Sequence, residues 1–275
     1  MFAKLLKYDC RAVFKYWWIG AVSSLILSLL GGLCIQIIDV DYTSHNSLIT
    51  LATLGLVLCC IGLVLFLLLS EILVIVRFYK HFFTDEGYLT FTLPVKKTTL
   101  LNSKIVMSLI FTFGSMLVFA FDVLLMLTVG IPEDLYRKEL WADIFLVLKD
   151  IFTTLGGYSA AYIILGIAIF FTLLVAQMLF IFLCITLAAS IASKHKVLAA
   201  IGIYYAATAA VSTAVQIMSI GGIYTVFEMI EKLENNQTFL SIAFVMFGLL
   251  GIVVAAAAIV YAIETYLLDK RLNLE

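Results

Sequence analysis

Charged residues are scarce in this chain. Only 13% of its 275 residues are Asp, Glu, Lys or Arg, about half the usual share of roughly 25% in soluble proteins. The hydrophobic share is 64%, and a water-soluble domain could not cover so much apolar surface. The formal net charge of −1 leaves no basic surface for nucleic acid. The composition excludes a soluble globular protein and a nucleic-acid-binding module.

Motifs for nucleotide binding and hydrolysis are also missing. The chain has no Gly-Lys pair, so it cannot form the phosphate-binding loop G-x-x-x-x-G-K-[ST]. It contains neither H-E-x-x-H nor G-x-S-x-G, the motifs of common metalloproteases and serine hydrolases. The histidines His45, His81 and His195 lie near predicted helix ends or loops and form no ligand set. We therefore expect no catalytic residue, bound cofactor or metal site.

Six long apolar runs dominate what the sequence does contain. A bilayer-spanning helix needs about 20 apolar residues, and the first run is too long for a cleaved signal peptide. The second run projects past the bilayer, and the fourth could hide a break near Gly166. We predict an all-α integral membrane protein with a single transmembrane domain over residues 17–275. Its predicted spans are residues 17–38, 48–76, 105–131, 158–192, 197–220 and 239–263.

Lysine and arginine predict the orientation of these spans. Most of the 17 basic residues fall on one side if the N-terminus is inside, and positive residues accumulate on the cytoplasmic side. Splitting the fourth run would move Lys194 and Lys196 outside, which argues against a break. The pattern predicts an N-in, C-in protein of the cell membrane, with a bacterial cytoplasmic membrane as its location.

Three segments outside the runs are amphipathic. Residues 1–16 place apolar side chains near one helical face, as in an elbow helix lying at the inner interface. Apolar residues recur at helical spacing from Trp141 to Leu155, which indicates a helix on the outer surface. Residues 221–236 are expected to form a short helix at the outer leaflet. Membrane anchoring without chemistry is the favoured interpretation of the first two.

The connection between the second and third runs is too apolar for a solvent-exposed loop without a binding partner. It reads RFYKHFFTDEGYLTFTLPVKKTTLLNSK over residues 77–104, and Phe78, Phe82 and Phe83 are expected to be exposed until a partner covers them. Thr84 is expected to cap a short helix that Pro94 ends. The alternative is a positively charged interfacial loop that only helps to set the topology.

This connection resembles the coupling segment in permeases of the second class of ABC exporters, which have six helices and often an N-terminal elbow helix. The matching pattern is Asp85, Glu86 and Gly87, an apolar run, Pro94 and Val95, a basic or hydroxyl turn, and Lys104. The outer segments depart from the pattern, since the one before the sixth span is short and residues 132–157 form a sizeable one. The resemblance implies a short cytoplasmic coupling helix that docks on an ATPase through Phe82, Phe83, Thr84, Asp85, Glu86, Gly87, Tyr88, Leu89, Phe91, Leu93 and Pro94.

The resemblance also implies the partners and the cargo. The permease would pair with a second permease, as a homodimer or heterodimer, and with separate ATPase subunits that bind the ATP and Mg²⁺. Because the spans carry few charges, the cargo is expected to be amphiphilic, such as a peptide, a lipid or an antimicrobial.

Two ionisable residues lie inside the predicted spans, where such groups are costly and often functional. Asp122 could line a substrate or proton path, or it could be wet at the outer interface. Glu71 could be functional or could pair with Arg77. Three glutamines are alternative partners for Asp122, namely Gln36, Gln177 and Gln216.

Two other functions stay open on the sequence alone. An ion-gradient-driven carrier would need an essential intramembrane carboxylate, and Asp122 is the candidate. A sensor or immunity protein that binds a toxic peptide without transporting it also fits the composition.

Overall fold

In a computed structural model, all regular secondary structure in the described part of the chain is helical. It covers residues 2–40, 46–84, 86–87, 92, 95–130, 137–155, 159–192, 196–232 and 238–270, with no strand in these ranges. The seven long helices are α1 (Phe2–Val40), α2 (Asn46–Phe83), α3 (Lys97–Gly130), α4 (Arg137–Leu155), α5 (Ser159–Ile191), α6 (Lys196–Lys232) and α7 (Thr238–Lys270).

Six of these helices are long and apolar enough to cross a membrane. The exception is α4, the predicted outer-surface helix, whose 19 residues include six charged residues before Ile151. The prediction of six spans is therefore confirmed at the level of length and composition. The apolar segments are Phe2–Ile38, Ser47–Phe83, Lys97–Gly130, Ala160–Ile191, Lys196–Ile217 and Val245–Asp269.

Several predicted boundaries differ from the observed helices. The helix α1 continues unbroken from Phe2 to Val40, so the expected elbow over residues 1–16 is not a separate element. No Gly or Pro precedes Gly20 in this helix, and nothing else in the sequence forces a break. The helix α6 likewise continues to Lys232 and absorbs much of the short helix expected after Gly221.

The long second and fourth runs each form one helix. At 1.5 Å per residue, the 38 residues of α2 extend about 57 Å, well beyond the roughly 30 Å hydrocarbon core of a bilayer. The helix α5 passes through Gly166 without a break. Both observations agree with the predicted projection of the second span and with an undivided fourth span.

The chain divides into two compact units. Unit 1 comprises Met1–Phe78 and Val106–Ile151, and unit 2 comprises Tyr79–Ile105 and Phe152–Glu275. The helices α2 and α3 therefore each contribute residues to both units.

Within unit 1, α1 and α3 pack closely and run in the same direction. The Trp17 indole nitrogen donates a 2.7 Å hydrogen bond to the Ser115 hydroxyl, and the Gln36 amide donates to the Val129 carbonyl. A Cβ atom on Gly32 would lie 2.7 Å from the Cβ of Val129, a distance that only glycine avoids. Small residues of this kind let membrane helices approach each other.

Within unit 2, α5 packs against α6 and α7. Its buried face includes Met178 and Phe182, both with no exposed surface, and the ring of Phe180 lies 6.0 Å from that of Tyr204 on α6. The start of α3 joins this unit through the hydroxyl of Tyr261, which donates to the side-chain oxygen of Asn102 at 2.9 Å.

Candidate functional site

The predicted coupling segment begins in a tight turn at the end of α2. The Thr84 hydroxyl donates to the carbonyl of Lys80 at 2.6 Å, so its proton satisfies the last turn of α2. The backbone N–H of Gly87 donates to the carbonyl of Thr84 at 2.7 Å, and residues 86–87 are helical. The chain therefore folds back on α2 immediately after Phe83.

Gly87 is required by the closeness of this turn. A Cβ atom at residue 87 would lie 2.7 Å from the carbonyl oxygen of Phe82 and 2.9 Å from its carbonyl carbon. These are backbone atoms, so rotation of a side chain cannot relieve the clash. Steric exclusion of a Cβ atom thus explains why the Asp-Glu-Gly pattern has glycine at residue 87.

The aromatic side chains before this turn are not exposed, contrary to expectation. Phe78 and Phe82 have no exposed surface and Phe83 is 9% exposed. The chain itself covers them, because α2 continues as a helix to Phe83 and its aromatic face turns into the protein. Glu86, by contrast, is exposed.

The segment is anchored again where α3 begins. The Lys97 amine donates to the carbonyl of Leu268 at 2.8 Å and lies 3.8 Å from a carboxylate oxygen of Asp269. The last carbonyls of a helix lack intrahelical partners and carry the negative end of the dipole. Lys97 therefore caps the C-terminal end of α7 and fixes the start of α3 to it.

The remaining predicted coupling residues lie outside the described residues. The structure thus places five of the set at the end of α2 and in the turn that follows it, namely Phe82, Phe83, Thr84, Glu86 and Gly87. Those outside the description are Asp85, Tyr88, Leu89, Phe91, Leu93 and Pro94.

The predicted intramembrane polar residues do not form one cluster. Asp122 has no exposed surface, and within the described ranges neither of its carboxylate oxygens has a hydrogen-bond partner. The hydroxyl of Ser24 lies beside it but donates to the carbonyl of Ala21 at 2.9 Å. Gln36 bonds to Val129 instead, and the side chains of Gln177 and Gln216 are exposed.

The expected ion pair between Glu71 and Arg77 does not form, because Arg77 pairs with Asp9. The guanidinium of Arg77 donates from Nε and from an Nη atom to one oxygen of Asp9, at 3.3 and 3.2 Å. Asp9 is nearly fully buried. Glu71 lies beside the hydroxyl of Thr112, and its Oε2 is buried without a hydrogen-bond partner in the described part of the chain.

Besides Asp9, two further charged residues are buried although the sequence pattern did not indicate it. Glu264 and Lys104 are 0% and 1% exposed, and neither oxygen of Glu264 bonds to a described residue. The sixth predicted span ended at Ile263, immediately before Glu264, whereas α7 continues to Lys270. Leu267 and Leu268 lie three and four residues after Glu264, and this helical spacing could have indicated that the buried face of the helix continues past Ile263.

The helices and polar groups define the class of protein. Six apolar helices of spanning length make the chain a multi-pass membrane protein, and the described residues hold no group of three or more His, Cys, Asp or Glu that could bind a metal ion. Compared with known proteins, the chain matches no family model, no curated protein and no solved structure.

Proposed function

We propose that this chain is the membrane-spanning permease subunit of an ABC exporter that moves an amphiphilic substrate using a separate ATPase. The observation that carries the proposal is the Thr84–Gly87 turn, folded back against the end of α2 with Glu86 exposed. In this proposal the turn lies in the cytosol and is the start of the coupling helix.

The anchors at both ends of the segment support a mechanical role. Pressure on the turn would reach α2 directly, because the backbone of Gly87 lies against that of Phe82. It would reach α7 through Lys97, which is bonded to the end of that helix. Conformational switching needs packed elements with discrete arrangements, and a segment anchored in this way transmits a displacement better than a loose loop.

The burial of Phe82 and Phe83 refines the proposed roles. Both side chains pack inside the permease itself and are not accessible to a partner. The ATPase would therefore contact Glu86 and the residues that follow it. The ATP and Mg²⁺ would remain on the ATPase, and a second permease would complete the transporter.

Glu86→Lys tests the proposal. The chain is purified in mild detergent from cells that also express the source organism's ATPases, and co-purifying proteins with a phosphate-binding loop are quantified by mass spectrometry. A reversed charge at an interface costs several kcal/mol, so we expect at least about a tenfold loss of the ATPase. Tyr88→Ala, in the same predicted surface, should lose it as well.

Asp143→Lys is the matched control for this experiment. Asp143 is exposed on α4, and the substitution makes the same change of charge outside the proposed docking surface. It should leave the ATPase bound, and all variants should keep the thermal unfolding midpoint of the wild type. Retention of the ATPase by Glu86→Lys, or its absence from the wild-type preparation, would overturn the proposal.

An ion-gradient-driven carrier is a second candidate because Asp122 is fully buried without a hydrogen-bond partner among the described residues. Ionisable groups of this kind often mark ion pathways in membranes. The carrier candidate expects ATP-free proteoliposomes with an imposed pH gradient to accumulate the amphiphilic cation ethidium. It also expects Asp122→Asn to abolish that accumulation. The permease proposal expects no ATP-free accumulation and an ATPase that stays bound to Asp122→Asn.

A further inference from the structure

An apolar groove lies in unit 1 between α1 and α3. Its volume is about 410 Å³, within the roughly 300–1,000 Å³ typical of small-molecule sites and too large for an ordinary packing defect. It extends along about two turns of α1 and about one turn of α3. Its lining includes Arg11, Phe14, Trp17, Ile110, Phe111 and Gly114.

The floor of the groove is rigid and its walls reach the surface. Trp17 is fixed by its hydrogen bond to Ser115 and by the rings of Phe66 and Phe111, at 6.3 and 5.8 Å. Phe14 and Ile110 are each about half exposed. A Cβ atom on Gly114 would meet only Trp17, at 3.7 Å, so the missing side chain at this position leaves the space open.

One end of the groove carries a positive charge. Arg11 is exposed and makes no ion pair with any described residue. Asp9, two residues earlier, is already paired with Arg77 and cannot balance it. Lys4, Lys7 and Lys15 are exposed on the same part of α1.

The residues around the groove are typical of the boundary between lipid headgroups and acyl chains. Tryptophan and tyrosine concentrate at this boundary, and Tyr16 and Trp18 flank Trp17 with more than half of their surface exposed. Basic residues attract anionic headgroups there. The apolar part of the groove therefore lies next to Arg11, whose charge is not paired within the described residues.

We propose that this groove binds an anionic phospholipid, with an acyl chain against Trp17 and Phe111 and the phosphate at Arg11. The charge at Arg11 selects the headgroup, and the apolar walls accept the chain. This site is separate from the turn at Thr84–Gly87 and does not depend on the binding of an ATPase.

Quenching of Trp17 fluorescence by brominated acyl chains tests the site. The full-length chain with Trp18→Phe and Trp141→Phe keeps Trp17 as its single tryptophan and is reconstituted into phosphatidylcholine vesicles. Brominated phosphatidylglycerol or brominated phosphatidylcholine is then added at equal mole fraction. One basic residue near a membrane contributes about 1 kcal/mol of attraction to anionic lipid, so we expect about fivefold stronger association of the phosphatidylglycerol.

Two variants separate the charge from the groove. Arg11→Gln should bring the ratio of the two association constants close to one. Gly114→Leu should fill the groove and reduce quenching by both lipids. Lys15→Gln is the control for the charge, since the Lys15 amine lies 5.7 Å from the Tyr16 ring centroid. Gly248→Leu is the control for the added side chain, because the space around Gly248 is open. Both variants should retain the wild-type preference for phosphatidylglycerol.

Three results would overturn the proposal. Equal quenching by the two lipids in the single-tryptophan chain would mean ordinary boundary lipid. Unchanged quenching in a folded Gly114→Leu variant would place the lipid elsewhere. Protection of Trp17 from both lipids, together with a dimer by light scattering, would mean that a second copy of the chain fills the groove.

Discussion

Arg77→Met is expected to lower the free energy of unfolding by about 3–5 kcal/mol, the usual effect of removing the partner of a buried charge. The substitution leaves the carboxylate of Asp9 in a site that is 2% exposed, without the guanidinium that donates two hydrogen bonds to it. Methionine keeps the length of the apolar stem, so the change reports mainly on the charge. Equilibrium unfolding from a mild detergent into SDS, followed by circular dichroism, measures the effect.

An exposed ion pair in the same chain provides the control. The side chains of Lys97 and Asp269 are 36% and 60% exposed and their charged atoms are 3.8 Å apart. Exposed pairs contribute about 0–1 kcal/mol, so Asp269→Ala should change stability little. Adding Asp9→Asn to Arg77→Met should recover part of the lost stability, because it removes the buried charge. Equal losses of stability in Arg77→Met and Asp269→Ala would contradict the burial of the Asp9 carboxylate beside Arg77.

Phe82→Ala is expected to destabilise the protein by about 3–5 kcal/mol, as large-to-small changes at buried aromatic residues usually do. Phe82 has no exposed surface, and its backbone lies against Gly87. The loss of the ring should therefore leave a cavity beneath the turn that begins the proposed coupling segment. The same SDS titration measures the change.

The comparison with an exposed phenylalanine shows whether Phe82 packs or docks. Phe145 on α4 is 71% exposed, and surface substitutions usually change stability by less than about 0.5 kcal/mol. Phe145→Ala should therefore behave like the wild type. If Phe82→Ala also kept wild-type stability but lost a bound ATPase, Phe82 would be a contact residue, as the sequence pattern first indicated.

The apolar spans were readable from the sequence because they depend on local composition. A run of about 20 apolar residues favours a helix in the bilayer whatever its neighbours are, and the six runs correspond to six long helices. Helix ends were less predictable, as α1 and α2 show. The first turns of α1 and the last turns of α2 mix apolar and basic residues without Gly or Pro, so composition alone did not show where α1 begins and α2 ends.

The candidate site was only partly readable. A short helix after Thr84 was expected from Thr84 and Pro94, but the burial of Phe82 depends on which face of α2 meets the rest of unit 2. Arg77 was expected to pair with Glu71 on its own helix, whereas its partner is Asp9, 68 residues earlier in the chain. Contacts of this kind carry no periodic signal in one sequence.

The sequence by itself determined that this is a helical membrane protein with six apolar helices, because hydrophobicity and helix formation are properties of neighbouring residues. Only the tertiary structure decided that Arg77 bonds to Asp9, that Phe82 is covered, that Glu264 is buried and that a groove opens between α1 and α3. Each of these features depends on side chains that distant parts of the chain bring together, and their distances are set by helix packing rather than by sequence separation.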